Sequence, residues 1–433
     1  MSTNQRRVVI TGMGLVCPLG NTPDLLWGSL IAGKSGVSRL DRLPFDHLTT
    51  DIGGVAGDFS GSIEDFGTLE KLLQRSIKKG LKLMCREIQM GVAAAQTAIA
   101  HAGWSTGVYP AEKIGTMFGS DYIISDPAEY QNGIAQCMPN GKFDFARWGN
   151  IGLQQVEPLW LLKYLPNMPA SHVAIYNDFR GPSNSITLRE ASSNLSVAES
   201  VTTIRRGAAD AVLAGSTGSR VHPLRTLHCS MQEQLAEKGQ QPEKASRPFD
   251  AGRTGMVIGE GAGVLILEEL ECAQARGATI HGEIVGYGSS TVASKSGVAD
   301  YAQAFRNVIK MALSTSGMKP EKVGHVHAHG LSTVTCDAQE AVAIRDMLGD
   351  VPVVAAKSGM GNLGAGSGMV EMVASLQSLA HRKLFPVLNY DQPDSECPVN
   401  VVSELTDHDG DSFLNLNISP QGQASSILIR RYS

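Results

Sequence analysis

Two stretches in different halves of this chain repeat the same order of features, and the repeat constrains the fold more than any other part of the sequence. Residues 94–120 and 308–330 each contain a helical segment, a glycine, a proline, the pair Glu-Lys and an apolar strand that ends at a glycine-rich turn. The strand VVITGMG at 8–14 also has a counterpart in GEIVGYG at 282–288. A repeat of this length is too long for a solenoid. It predicts two similar α/β units that pack together.

Short Val/Ile-rich runs, such as IGTMFGS at 114–120, alternate with amphipathic helical segments through both halves. This rhythm predicts a largely parallel sheet buried between helices. We place the boundary between the halves near the helical segment 267–278, which gives predicted domains 1–266 and 267–433. Region 121–170 lacks the rhythm, and we expect an excursion there that acts as a lid or an interface element.

The composition of the 433-residue chain, with 42% hydrophobic and 18% charged residues, is that of an ordinary soluble globular protein. A net charge of −5 argues against non-specific binding to nucleic acid. The seven cysteines contain no CxxC pair, so we expect reduced thiols and no metal site. No apolar stretch approaches the ~20 residues of a membrane helix, and the first residues run directly into a strand without a signal peptide. We therefore expect a cytoplasmic protein.

The segment SNSITLREASSNLSV at 183–197 predicts a strand that turns sharply into a helix with small residues at its start. A residue at such a corner lies at the helix N-terminus, where free backbone N–H groups and the helix dipole favour negative charge. Corners of this kind activate a thiolate or hydroxyl nucleophile and stabilise an oxyanion. Here the corner holds Arg189 and Glu190. We expect the helix N-terminus to keep Glu190 ionised, with Arg189 as a possible ion-pair partner.

The chain resembles the elongating β-ketoacyl-ACP synthases, which have the thiolase fold, over nearly its whole length. The matching segments follow one another in the family's order: RRVVITGMGLVCPLG, FRGPSNSIT, RRGAADAVLAGST, RPFDAGRTGMVIGEGAGVLILEELECAQARGA, HAHGLSTVTCDAQE and KSGMGNLGAGSGMVE. The resemblance implies two duplicated α/β halves in a layered αβαβα arrangement. In this family a cysteine at the corner accepts an acyl chain from an acyl carrier protein, and two histidines assist the decarboxylation of malonyl-ACP and the condensation.

The family motifs can be carried over residue by residue. Counting without gaps from RGPS forward, or from RRG backward, places Glu190 at the position of the family's cysteine. His329 in HAHG corresponds to the first family histidine, Asn362 to the second, and Lys357 to the motif lysine. Three acidic residues match supporting positions of the motifs: Asp337, Glu340 and Glu371. The family's Gly-Phe-Gly-Gly gating turn is replaced by PQGQ at 420–423, so the aromatic gate is lost.

A carboxylate in place of the cysteine changes the chemistry, because condensation needs a thiolate that forms a thioester and then leaves. The resemblance leaves two hypotheses. In the preferred one, the chain has no condensing activity of its own and is a chain-length-factor-like partner of an active ketosynthase. In the other, it is an enzyme that decarboxylates malonyl-ACP to supply primers, or that uses Glu190, His329 and Asn362 in an unusual acyl-ACP chemistry. Retention of His329 favours the enzyme, whereas loss of the second histidine and of the gate favours the partner.

The resemblance also implies partners. An acyl carrier protein brings its own phosphopantetheine, so the chain needs no cofactor. Thiolase-fold synthases pair through an edge strand, and we expect a homodimer or a heterodimer with a cysteine-bearing ketosynthase. The segment KLLQRSIKKGLK at 71–82 is basic, whereas carrier proteins are acidic. Four of its residues form a carrier-docking hypothesis, with a solvated helix face as the alternative: Arg75, Lys78, Lys79 and Lys82.

Two further patterns have a structural and a functional interpretation. His325, His327 and His329 alternate along a predicted strand and share one face, which is the geometry of a metal site. The resemblance, however, implies only His329 in the pocket. Lys357 precedes a glycine turn and is equally compatible with a buried ion pair, for which Glu371 is a suitable partner.

Overall fold

The computed structural model describes residues 6–41 and 48–432, and both halves contain strands and helices. The first half contains β1 (Val8–Val16), α1 (Pro23–Ile31), β2 (Val37–Arg39), β3 (Ile52–Gly54), α2 (Lys71–Gly80), α3 (Arg86–His101), β4 (Ile114–Ser120), α4 (Gln131–Gln136), α5 (Met168–Asn177), β5 (Ser183–Thr187), α6 (Ser192–Arg205), β6 (Ala211–Ser219), α7 (Pro223–Gln232), α8 (Pro242–Ala245), β7 (Ile258–Glu269) and α9 (Leu270–Ala275). The second half contains β8 (Gly282–Thr291), α10 (Tyr301–Ser316), β9 (His325–His327), α11 (Val334–Leu348), β10 (Pro352–Val354), α12 (Lys357–Met360), α13 (Ser367–His381), β11 (Lys383–Leu384), β12 (Asn400–Val401), β13 (Thr406–Asp407), β14 (Ser412–Ile418) and β15 (Gln423–Arg430).

The strand order shows the internal duplication directly. In the first half the strands run in the order β1-β7-β6-β4-β5, and in the second half in the order β8-β15-β14-β9-β10. Each of these five strands of one half therefore has a counterpart at the same position in the other. The halves meet where β1 pairs with β8, with Val9 opposite Glu283 and Ile10 opposite Gly282. The prediction of two duplicated α/β halves is confirmed.

The strand directions are mixed, so the prediction of a largely parallel sheet is wrong. β4 runs parallel to β5 and β6, and β9 runs parallel to β10 and β14. β7 runs antiparallel to β1 and β6, and β15 runs antiparallel to β14 and β8, although the short β3 pairs in parallel with the start of β7. A short turn at 419–422 connects β14 to β15, and two strands joined by a hairpin turn must be antiparallel. β7 repeats this direction in the first half.

The helices divide the molecule into five layers. The central layer consists of α6 and α13, whose residues Val197 and Val370 share one core cluster with Leu265 of β7 and Ile427 of β15. Helix α3 covers the outer face of the first half's strands, and α10 and α11 cover the outer face of the second half's strands. This is the αβαβα arrangement that the sequence predicts. The proposed division at 266/267 stays a prediction, and β7 extends past it to Glu269.

Region 121–170 consists of short helical pieces without strands. They include α4, a π-helical turn at Trp148–Gly152 and a 3₁₀ turn at Trp160–Lys163. Phe145 and Leu159 are among the large apolar side chains that this region exposes. Exposed apolar groups of this kind are typical of interaction surfaces, and the role of the region as a lid or an interface stays a prediction.

Over residues 6–41 and 48–432, the helices are not both long enough and apolar enough to cross a bilayer.

All seven cysteines are free thiols. Each is therefore a candidate nucleophile that has to be judged by its surroundings.

We predict that the contact between β4 and α6 depends on Gly119. A Cβ atom at this position would lie 2.7 Å from the backbone carbonyl oxygen of Ser192, at the start of α6. Gly119→Ala should therefore lower the free energy of unfolding by about 1–3 kcal/mol, measured by urea unfolding. The matched control is Gly28→Ala in α1, where the new methyl group has no neighbour within 4 Å and should stabilise the helix by about 0.5–1 kcal/mol. Equal stability of Gly119→Ala and the wild type would contradict this account.

Candidate active site

The strand-to-helix corner after β5 has the geometry that the sequence predicts. A 3₁₀ turn at Arg189–Ala191 connects β5 to α6. Arg189 has a φ of 53°, a left-handed conformation that strains a residue other than glycine. Two hydrogen bonds of Ser192 Oγ fix the turn: it accepts from the Leu188 backbone N at 2.7 Å and donates to the Ser120 carbonyl at 2.9 Å. The corner is thus tied to the end of β4.

The Glu190 carboxylate is buried at this corner and is held by side chains. Its Oε1 accepts hydrogen bonds from Arg220 Nη2 and, at 3.0 Å, from Asn362 Nδ2. Its Oε2 has no hydrogen-bond partner in the protein and lies 3.7 Å from Arg189 Nε. Burial alone would raise the pKa of Glu190, but the charges of Arg220 and Arg189 outweigh burial and hold this pKa well below the ordinary glutamate range. Glu190 is therefore ionised at neutral pH.

The sequence predicts that the N-terminus of the following helix keeps Glu190 ionised, and this explanation is wrong. The hydrogen bonds of the carboxylate instead come from the side chains of Arg220 and Asn362. The physical reason is the size of the two energies. A helix dipole contributes about 0.3–1 kcal/mol, which is less than the several kcal/mol that an uncompensated buried charge costs.

A second carboxylate balances the two arginines. Arg220 is fully buried just after β6 and also donates from Nη1 to Glu233 Oε1 at 3.0 Å. Arg189 donates from Nη2 to the same oxygen of Glu233. The two guanidinium groups and the two carboxylates, Glu190 and Glu233, thus form one group without net charge, which we name the corner network. Burial of ions is tolerated only when they are paired in this way.

His329 lies directly after β9 and is also fully buried. Burial lowers the pKa of His329 well below its ordinary value, and the charge of Lys357 lowers it further, so the ring is neutral at pH 7. Lys357 Nζ and Asn417 Nδ2 each lie 3.4 Å from His329 Nδ1. Because Nδ1 accepts, this network assigns the ring proton to Nε2, which has no hydrogen-bond partner in the protein.

Lys357 is fixed by a buried ion pair. Its ammonium group binds Glu371 Oε1 and donates to the His329 carbonyl at 2.8 Å. The other oxygen of Glu371 accepts from Asn417 Nδ2 at 2.8 Å. The ion pair of Lys357 and Glu371 thus exists, and its lysine also contacts the histidine.

The two other acidic residues hold the loop that follows β9. Glu340 accepts from the backbone N–H groups of His329 at 2.6 Å and Gly330 at 2.9 Å. Asp337 accepts from four backbone N–H groups of the same region: Phe249, Leu331, Ser332 and Thr333. Burial raises the pKa of Asp337 to about 6 and that of Glu340 to about 8, although these backbone groups oppose the shift. Both side chains position the backbone of His329.

Asn362 connects the corner to the loop before α13. Its Nδ2 donates to Glu190 at 3.0 Å and lies 2.9 Å from Met256 Sδ, while its Oδ1 accepts from Gly364 N at 3.1 Å and Ser367 Oγ at 3.0 Å. The structure thus brings Glu190 together with Asn362, and His329 together with Lys357. The two groups are close enough for the charge of Glu190 to act on the pKa of His329.

Sequence reasoning missed three residues of the site: Arg220, Glu233 and Asn417. One signal was available for Arg220, because it is a charged residue that directly follows the small and apolar strand AVLAGSTGS. Glu233 and Asn417 carry no such signal, since their contacts to the site depend on the tertiary structure.

Comparison with known proteins decides the family. The model of the β-ketoacyl synthase N-terminal domain matches residues 5–273, and that of the C-terminal domain matches residues 281–391. The chain belongs to the β-ketoacyl synthase family. It is 33% identical to 3-oxoacyl-(acyl-carrier-protein) synthase 2 of Synechocystis over 404 residues, which cover 92% of this chain and 91% of the relative. It is 29% identical to the enzyme of the same name from Staphylococcus aureus, with complete coverage of both chains.

Solved structures of ketosynthases share the fold of this family member. A β-ketoacyl synthase from Burkholderia phymatum has a TM-score of 0.86 at 26% identity and covers 99% of this chain and 100% of its own. With the same coverage and a TM-score of 0.85, two further structures match: the ishigamide ketosynthase/chain length factor at 25% identity, and the AntDE:AntF complex at 26%. The latter is described as a type II PKS acyl-carrier protein in complex with its ketosynthase bound to the hexaketide. The thiolase-like ketosynthase fold is confirmed.

The histidines before His329 have structural contacts in this β-ketoacyl synthase homologue. His325 Nε2 and His327 Nδ1 lie 3.0 Å and 2.8 Å from the same hydroxyl, Ser375 Oγ. His327 Nε2 also accepts from the Ala356 backbone N at 3.2 Å. Among the residues that the structure describes, no three His, Cys, Asp or Glu side chains are arranged to hold a metal ion. Their shared face therefore serves packing and hydrogen bonding.

Two predictions concern residues away from Glu190 and His329: the turn that contains Pro420 and the basic residues of α2 and the turn after it. The segment 420–423, which the sequence matches to the family's gating turn, lies in the turn between β14 and β15 and at the start of β15, and Tyr301 Oη donates to the Pro420 carbonyl at 3.1 Å. The four proposed docking cations are all exposed on α2 and the 3₁₀ turn after it: Arg75, Lys78, Lys79 and Lys82. Their role stays a prediction.

We predict that Glu190 makes stability depend on acidic pH. Its pKa is lower in the folded chain than the ordinary value near 4.3 of an unfolded glutamate. Its stabilising effect is therefore present above about pH 4.3 and is lost as the pH falls through the folded-state pKa. Glu190→Gln should be less stable than the wild type at pH 7, and the difference should shrink below pH 4. Urea unfolding at several pH values measures this.

A matched control for this prediction is Glu237→Gln, at an exposed glutamate outside the corner network. Its free energy of unfolding should follow the wild type at every pH. If Glu190→Gln also ran parallel to the wild type down to pH 3, the ion pair would contribute nothing to stability.

Proposed function

We propose that this β-ketoacyl synthase homologue serves fatty-acid or polyketide synthesis as a non-acylating partner of a cysteine-bearing ketosynthase. The observation that carries the proposal is the state of Glu190, the residue that counting from the sequence motifs assigns to the family's cysteine position. Its carboxylate is buried, ionised and hydrogen-bonded to Arg220 and Asn362. A carboxylate in this environment cannot replace a thiolate.

The chemical reason is the product that acylation of Glu190 would give. Attack of a carboxylate on a thioester forms a mixed anhydride, which is more activated than the thioester and therefore does not accumulate. The guanidinium of Arg220 also stabilises the free carboxylate and makes it a weaker nucleophile. Both effects oppose acylation, whereas covalent catalysis needs an activated nucleophile.

The nearest thiols do not supply a substitute. Cys229 Sγ lies 2.9 Å from Arg220 Nη1, yet burial raises the pKa of Cys229 despite that charge. Burial also raises the pKa of Cys336 well above its ordinary value. Only the thiolate form is the nucleophile, so both cysteines favour the unreactive thiol.

A partner role requires a surface for another subunit, and the region around β5 supplies one. β5 ends the order of strands and pairs with β4 alone within the described parts of the chain, so its outer edge is open to pairing. Helix α7 exposes Leu224, Leu227 and Met231, which lie on one helix face because they are three and four positions apart. We propose that this edge and this face bind the ketosynthase partner.

Similar proteins support the partner and carrier assignments. The structures related to this chain include a ketosynthase/chain length factor and a ketosynthase in complex with an acyl carrier protein. By analogy, we propose that an acyl carrier protein brings phosphopantetheine-bound substrate to the complex. The exposed cations of α2 are the candidate contact for its acidic surface.

We predict that the purified chain forms no covalent acyl adduct. Incubation with an acyl-thioester probe and intact-mass spectrometry should give the unmodified mass. A cysteine-bearing ketosynthase treated in parallel should gain the acyl group, which shows that the probe is active. An acyl group on any side chain of this polypeptide's site would overturn the proposal.

One observation favours a second function, malonyl-ACP decarboxylation. His329 presents a neutral ring whose Nε2–H group is buried and has no partner in the protein, and such a donor suits the oxygen of a thioester carbonyl. The ionised Glu190 opposes this role, because it repels the malonyl carboxylate. Acetyl-ACP formed from malonyl-ACP by the wild type, and lost in His329→Gln, would establish the decarboxylase. Its absence leaves the partner role.

We predict that charges on the exposed face of α7 prevent assembly. Leu227→Glu combined with Met231→Glu should abolish association with the ketosynthase partner, because desolvating two unpaired carboxylates is costly. Size-exclusion chromatography with light scattering measures the assembly. The control is Met311→Glu on α10, where an equally exposed apolar residue lies on the other half of the molecule. The proposed surface would be wrong if the double variant assembled like the control.

A further inference from the structure

The structure contains a cavity with a marked excess of positive charge. It has a volume of ≈ 580 Å³ and lies beside the ends of α6 and α10 and the neighbouring central strands β8 and β15. Its lining contains six cationic side chains: Arg6, Arg7, Arg205, Lys319, Lys322 and Arg430. Only two carboxylates line it, those of Glu283 and Asp411. We name it the basic pocket.

Half of these cations already have carboxylate partners. Glu283 accepts hydrogen bonds from Arg7 and Arg430, each at 2.7 Å. Arg6 pairs with Asp210 at 2.6 Å and donates to the backbone carbonyls of Ile204, in the last turn of α6, and Ala209, in the loop after it. These three arginines build the wall of the pocket and leave little charge free for a ligand.

The other three cations, Arg205, Lys319 and Lys322, form no ion pair with any residue that the structure describes. Lys319 and Lys322 are exposed. Arg205 is half-buried, its guanidinium lies 5.9 Å from the ring of Tyr287, and its buried Nε has no hydrogen-bond partner in the protein. A buried guanidinium N–H without an acceptor costs free energy, and a ligand that accepts this hydrogen bond would recover it.

Helix ends explain only part of this arrangement. Arg205 lies in the last turn of α6, where a cation stabilises the helix dipole. Lys319 and Lys322 lie beyond the end of α10 in a separate turn, and their convergence on the same concave surface has no such explanation. A concave surface with charges of one sign concentrates counter-ions.

We propose that the basic pocket binds an anion with two linked phosphate groups, as a free diphosphate or as part of a nucleotide. A phosphate group carries roughly 1.5 to 2 negative charges at pH 7, so two of them match the three unpaired cations. The volume of the pocket is also within the range of about 300–1,000 Å³ found for small-molecule sites. The pocket is distinct from the candidate active site, because α6 separates Glu190 from Arg205 by 14 helical residues, or about 21 Å.

The test uses the full chain and isothermal titration calorimetry with inorganic pyrophosphate, ADP and inorganic phosphate. Pyrophosphate should bind saturably and at least tenfold more tightly than inorganic phosphate. Tighter binding of ADP than of pyrophosphate identifies a nucleotide as the source, and equal binding identifies free diphosphate. Absence of saturable pyrophosphate binding, or equal affinity for phosphate and pyrophosphate, would overturn the proposal.

Variants locate the binding. Arg205→Gln with Lys319→Gln and Lys322→Gln should weaken pyrophosphate binding at least tenfold. Since Arg205 is half-buried, Lys319→Gln with Lys322→Gln is the variant that leaves the interior unchanged, and it should weaken binding at least threefold. The matched control removes three exposed cations elsewhere, by Lys34→Gln, Lys244→Gln and Lys295→Gln, and should bind like the wild type. An equal loss in the control would assign the binding to overall charge and refute the site.

Discussion

The buried ion pair of Glu190 and Arg220 is the interaction on which the site depends. Transfer of either ion from water to the interior costs several kcal/mol, so neither side chain can be buried without the other. Glu233 and Arg189 complete the balance, and the corner network has no net charge. Gly364 lies beside Arg220, since a Cβ atom there would be in ordinary contact with Arg220 Nε at 3.5 Å, and its φ of 62° favours glycine. The pair, the corner and the loop at 362–366 therefore form one unit.

The surroundings of Glu190 and those of His329 have opposite electrostatic effects: the first keep a side chain charged and the second keep a side chain neutral. At the corner, opposite charges hold a carboxylate in its ionised form. Around His329, the ion pair of Lys357 with Glu371 and the amide of Asn417 fix a neutral ring, while Glu340 holds its backbone. The fixed, neutral ring suits chemistry with a thioester, whereas the nearby Glu190 carries a fixed negative charge. The proposal of a non-acylating partner rests on this contrast.

The sequence predicted the parts of the structure that depend on local patterns or on ordered motifs. The repeat of 94–120 in 308–330 predicted the duplicated halves, and the ordered motifs singled out Glu190, His329 and Asn362, which the structure places near one another. Contacts between residues far apart in the chain could not be predicted, because no periodicity records them. Arg220 is 30 residues from Glu190, and Glu233 is 44 residues from Arg189. The antiparallel orientation of β7 and β15 could not be predicted either, because a pattern of alternating helices and strands does not show whether neighbouring strands run in the same direction.

At helix α6 the size of the energies decides whether the helix dipole or a side-chain charge keeps Glu190 ionised. It carries a carboxylate next to its first turn and Arg205 in its last turn, which is the distribution that a helix dipole favours. The dipole, however, contributes about 0.3–1 kcal/mol at each end, which is too little to keep a fully buried carboxylate ionised. At the first turn a full charge, that of Arg220, must supply the rest. At the last turn Arg205 is half-buried and its Nε has no acceptor in the protein, so the anion proposed for the basic pocket would supply the missing acceptor there.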